Sequence, residues 1–97
     1  MNNGGKSINN AVVYDCSEQI SEQAKAEINR LYQKTYRRWT SEAPENADKL
    51  EESQKTWLQY RETYCELLGN AIGTPMAYVC RAERNILRTK ELRQLSE

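Results

Sequence analysis

The sequence contains no histidine and no phenylalanine, only three cysteines, and no surplus of charge of either sign. Without histidine the commonest general acid–base group and metal ligand is gone. Cys16, Cys65 and Cys80 are too widely spaced for a zinc knuckle, and no imidazole completes one. A cysteine nucleophile also lacks the base it needs. No phosphate loop or recognisably paired carboxylates take its place. An enzyme is therefore the least expected class, and neither a metal nor a cofactor is expected. The missing phenylalanine leaves the large core pieces to two tryptophans and some of six tyrosines, whose polar tips want partners or water. Fourteen basic and fourteen acidic residues cancel, so the totals give no nucleic-acid footprint. No apolar run approaches the roughly 18 residues of a membrane span.

What remains is 97 residues, enough for one domain near the lower limit of independent folding. With 38% hydrophobic and 29% charged residues and a mean hydropathy of −0.92, a lean core lies under a heavily solvated surface. Such a core often needs a covalent staple. The opening MNNGGKSINN offers only Ile8 as a large apolar group and reads as a disordered leader over residues 1–10, with the domain over 11–97. It has no apolar h-region, which leaves a cytoplasmic protein and a mature chain with its export signal removed both open.

The apolar spacing predicts three helices. Asp15 or Ser17 can cap the first, which runs to about Trp39 with Ile20, Ala24, Ile28, Leu31 and Thr35 on one face. Pro44 disfavours helical backbone at Ala43, and Asn46 or Asp48 can start the second helix, expected over about Ala47 to Leu68. Leu50, Gln54, Trp57, Leu58, Arg61, Tyr64, Cys65 and Leu68 share its stripe. Gly69 is a candidate C-cap and Gly73 a loop residue. Thr74 can cap the third helix, with Pro75 at its first position and Met76, Val79, Cys80, Ile86 and Leu87 along it, fraying near Leu95. No strand-type alternation persists. The fold expected is all-α: a small antiparallel three-helix domain with short links.

Cys65 lies three residues before the expected end of the second helix and Cys80 about five after the start of the third. Two antiparallel helices would bring them to similar heights. With axes roughly 8–10 Å apart and radii of about 2.3 Å, a disulfide is within reach. The spacing fits equally a pair of small, reduced, buried cysteines.

LEESQKTWLQYRETYC, residues 50–65, resembles the signature of the LprI-like lysozyme-inhibitor family of small bacterial envelope proteins. Gln54, Trp57, Tyr60, Arg61 and Cys65 match its glutamine, tryptophan, aromatic–arginine pair and cysteine. Gly73, Thr74, Cys80, Arg84, Arg88, Thr89 and Leu92 fit its downstream part, and INRLY, residues 28–32, its first helix. The likeness spans roughly residues 14 to 95. It implies an exported protein, periplasmic or secreted, with a Cys65–Cys80 disulfide joining helices two and three. It also implies a non-enzymatic lysozyme inhibitor. The alternative is an envelope binding or structural module with a partner other than lysozyme; a cytoplasmic helical adaptor using the basic third helix is a third reading. The family has a further cysteine before the position of Cys16 that this chain lacks, so Cys16 is left able to join two copies.

Arg61 can fork onto a partner's carboxylates, or tie helices together through helix-end carbonyls or a carboxylate such as Glu27 or Glu83, with its stem on Trp57. The second role is favoured, so Gln54, Trp57, Tyr60 and Arg61 are expected to form a structural network. Trp39, at the end of helix one, is a candidate exposed contact. Glu42, Glu45, Asp48, Glu51 and Glu52 make the first link acidic, apart from Lys49, and suit a cationic partner such as a lysozyme. Arg81, Arg84, Arg88, Lys90 and Arg93 make the last helix basic; both placements also suit the helix dipoles. The links SEAPENAD and GNAIGTP are expected to carry recognition, with Trp39, Glu42, Glu45, Asp48, Asn70 and Thr74 as contact residues.

Overall fold

A computed structural model describes residues 10–97. It contains three helices, α1 over Asn10–Glu42, α2 over Pro44–Ala71 and α3 over Thr74–Ser96. No strand occurs among the described residues. The leader expected over residues 1–10 lies outside the described residues except for Asn10, which already belongs to α1. The first helix thus begins ahead of the expected caps Asp15 and Ser17.

Both links are shorter than the sequence suggested. Ala43 alone separates α1 from α2, with φ −154° and ψ 71°, outside the helical region, as the residue before a proline tends to be. Pro44 then occupies the first turn of α2, where a missing N–H costs nothing. The Ala43 carbonyl accepts from the amides of Asn46 and Ala47, while the Ala43 amide donates to the Trp39 carbonyl at 2.8 Å. One residue closes the first helix and opens the second, so neither Asn46 nor Asp48 is the start of α2.

At the other link, Gly69 is not a cap. It lies inside α2, and a Cβ placed there would meet the Ala77 Cβ at 3.0 Å, so glycine permits the close approach of α2 and α3. The turn falls on Ile72 and Gly73, whose φ of +148° favours glycine. Thr74 is helical and makes no side-chain cap; Gly73 holds the position before the helix, and its carbonyl accepts from the Met76 amide at 3.0 Å.

The chain runs up, down and up, so α1 and α3 are parallel and α2 is antiparallel to both. The packing between α1 and α3 is the most extensive. The bundle measures 59 × 23 × 15 Å. Its core is uneven along that length. Toward the α1–α2 link, Ile28, Leu31, Leu50 and Leu92 form the apolar cluster, flanked by Tyr32, Tyr36, Trp39 and Trp57. Toward the α2–α3 link the buried positions are small or polar: Ser17, Ser21, Ala77, Cys80, Ala82, Asn85 and Thr89. There Cys65 and Cys80 form the disulfide between α2 and α3, with Cα atoms 5.4 Å apart.

Leu58, on the stripe expected for α2, is 40% exposed, and the apolar faces of α1 and α3 need one correction each. In α1 the buried stripe runs through Ser21 while Ile20 is 43% exposed. In α3 the expected Ile86 and Leu87 face outward, and the inward stripe is Asn85, Arg88, Thr89 and Leu92. Hydrogen bonding across the bundle decides both cases, as the seam described next shows.

Candidate functional site

Where α2 leaves the apolar cluster it carries Gln54, Trp57 and Arg61 on one stripe, and α3 presents Asn85 and Arg88 to them. The Arg61 guanidinium lies over the Trp57 ring, 5.1 Å from its centroid. It donates to Asn85 Oδ1 at 2.9 Å and to Glu62 Oε2 at 2.9 Å. Asn85 passes the chain onward, its Nδ2 donating to Ser21 Oγ at 2.8 Å. One line of polar groups therefore crosses from α2 through α3 to α1. Thr89 adds a contact to the Ala24 carbonyl at 3.4 Å.

Arg88 forms the second branch. Only 7% exposed, it also lies over Trp57 at 5.6 Å. It donates to Gln54 Oε1, Ser53 Oγ and Glu91 Oε1 at 3.0–3.1 Å. A guanidinium this buried persists only when its donors are met. Of the residues assigned to a structural network, Gln54, Trp57 and Arg61 meet here. Tyr60 does not: it is 49% exposed and stacks on Tyr64, with ring centroids 5.5 Å apart. The partners foreseen for Arg61 also differ. Glu27 bonds Arg30 through both oxygens at 2.8 and 2.7 Å and reaches Arg93 at 3.4 Å. The Arg30 guanidinium holds the Glu27 carboxyl down at about 2, with a smaller contribution from Arg93; Glu27 in turn raises Arg30. Burial, then the nearby Glu51 and Tyr36, push the Tyr32 phenol up.

Asn85, Arg88, Ser21, Ser53 and Thr89 were not singled out for the network from the sequence. A signal existed: Asn85, Arg88, Thr89 and Leu92 repeat at the helical spacing of three and four that marks a buried face.

The expected contact residues fall into two groups. Trp39, half-buried against the core beneath Arg38, shares one end of the bundle with exposed Glu42, Glu45 and Asp48. Arg38 also donates to the Leu95 and Ser96 carbonyls, bringing the last turn of α3 to this end. Asn70 and Thr74 are exposed at the opposite end, a helix of 28 residues away, or about 42 Å. Cys16 is an exposed free thiol on α1. Among the described residues no cluster of His, Cys, Asp or Glu could hold a metal, and no helix is long and apolar enough to cross a membrane.

A third arrangement emerges on the outer face of α2 and α3. Tyr60, Tyr64 and Leu67, with Thr56, Gln59 and Thr63, line a shallow trough. The Arg84 guanidinium lies over Tyr64, 5.8 Å from the ring centroid.

Among known proteins, the family model described as "Lysozyme inhibitor LprI" matches residues 2–92 of this chain. No curated protein and no solved structure gives a match.

Proposed function

Since the chain belongs to the lysozyme inhibitor LprI family, we propose that it is a non-enzymatic inhibitor of a lysozyme, acting in the periplasm or outside the cell. The family match over nearly the whole chain carries this reading. The disulfide between α2 and α3 suits it, because an oxidising compartment preserves such a bond. A narrow, covalently stapled helical rod suits a protein that works by occupying a cleft rather than by chemistry. The end bearing Trp39, Glu42, Glu45 and Asp48 gives a cationic enzyme a negative surface to approach, with Asn70 and Thr74 as a second contact at the far end. In this reading the Cys16 thiol can join two copies.

The test is lysis of a peptidoglycan suspension by a chicken-type lysozyme, with the protein added from equimolar to large excess. Loss of lytic activity is expected, and undiminished lysis at large excess rejects the proposal. The same material run without reductant reports on Cys16: a band at twice the 11.3 kDa chain mass supports pairing, and a single monomer band removes it.

A further inference from the structure

We propose that Arg84, presented beside the Tyr60–Tyr64 stack, is the guanidinium that takes the ionised carboxylate of a lysozyme cleft. This rests on the inhibitor reading above and assigns its contact to a face that neither link contributes. Arg61, which the sequence offered for such a role, is committed to Glu62, Asn85 and Trp57. Arg88 is bonded to three residues. Arg81 reaches Glu62 at 3.8 Å, and Arg93 reaches Glu27. Arg84 makes no hydrogen bond or ion pair among the described residues, and its Nε is buried without a partner. Among the described residues Arg37 is unpaired too, but it is exposed and lies over no ring; the Arg84 Nε is closed off from any partner, so its two terminal nitrogens are the ones left to receive one.

The surroundings bear on what that partner is. Arg84 lies over Tyr64, and Tyr64 is stacked on Tyr60 with the ring planes 7° apart. The guanidinium is thereby held in place before any partner arrives, which lowers the entropy lost on binding. Beside it, Tyr60 is 49% and Leu67 58% exposed. An oriented fork of donors flanked by aromatic and apolar surface complements an ionised carboxylate that has apolar surface beside it. A lysozyme offers that feature: two carboxyl groups roughly 5 Å apart, one kept neutral by apolar surroundings and the other ionised. A planar guanidinium can bond the ionised one through its two terminal nitrogens in parallel. The acidic end lies about 22 Å along α2 from Tyr60, close enough for one enzyme surface to meet both.

Inhibition by Arg84→Gln, Arg84→Lys and Lys34→Ala, compared with the unmodified chain, decides the matter. Glutamine keeps most of the stem against Tyr64 and removes the fork; lysine keeps only the charge. Lys34 is an exposed cation on α1 without an ion pair among the described residues. Arg84→Gln is expected to raise the inhibitory concentration at least tenfold and Arg84→Lys by less, with Lys34→Ala unchanged and helix content by circular dichroism equal in all. Inhibition by Arg84→Gln at the unmodified potency overturns the assignment while leaving the inhibitor reading intact. So does an equal loss in Lys34→Ala, which would mark a general effect of charge. Absence of inhibition by the unmodified chain removes both.

Discussion

Thr35 is fully buried, yet its hydroxyl has no hydrogen-bond partner. Leaving such a group unpaired in an apolar setting costs on the order of 1–3 kcal/mol. Valine has nearly the same shape and a similar helix propensity. Thr35→Val is therefore expected to stabilise the fold by about 1 kcal/mol, seen as a higher urea midpoint with an unchanged slope. A lower midpoint would show that the hydroxyl is satisfied in solution. Arg61 is the opposite case, a polar side chain whose donors are met inside the bundle. Its placement over Trp57 was legible, because four residues along a helix bring the two side chains together. Its partner Asn85 was not, since which residue of α3 lies opposite Arg61 depends on the register between helices, and a single chain does not display it.

At the scale of elements, the three helices and the order of their connections followed from apolar spacing and from Pro44, Gly73 and Pro75. Their ends did not. Pro44 looked like a break of several residues, but a proline in the first turn lets the helix begin at once. Leu87 and Ile86 drew attention on α3 as large apolar groups, while Asn85 and Thr89 earned the inward positions by hydrogen bonding to α1. Lower on the same interface Glu27 ties α1 to α3 by its contact with Arg93. Its carboxyl, at about 2 in the folded chain against an ordinary 4.5, is depressed mainly by Arg30. A depressed folded value means that the contribution to stability is complete above pH 4.5 and is lost as the pH falls toward 2. Glu27→Gln should lower stability at neutral pH and flatten its decline between pH 4.5 and 2, measured by denaturation across that window. An unaltered slope would show that the carboxylate is no more tightly held when folded than when unfolded.

Over the whole molecule, the two halves of the rod are held by different forces. The half nearest the α1–α2 link buries Ile28, Leu31, Leu50 and Leu92, where each large side chain removed from water contributes roughly 1.5–3 kcal/mol. The other half buries serines, alanines, Asn85 and Thr89, which gain little by leaving water and depend on one another's hydrogen bonds. The Cys65–Cys80 bridge lies in that weaker half, across a separation of 15 residues. Closing a loop of this size is worth about 3 kcal/mol. Composition alone pointed to a lean core in need of a staple; how the deficit is distributed became visible only once Ser21 and Asn85 were found facing each other. Cys65→Ala together with Cys80→Ala should therefore not loosen the rod evenly. Amide exchange is expected to accelerate most around Ser17–Ser21, Cys65 and Ala77–Ala82, while Leu31, Leu50 and Leu92 keep more of their protection. If all these amides accelerate by one common factor, the bundle opens as a single cooperative unit, and the bridge steadies the whole rod rather than its polar half.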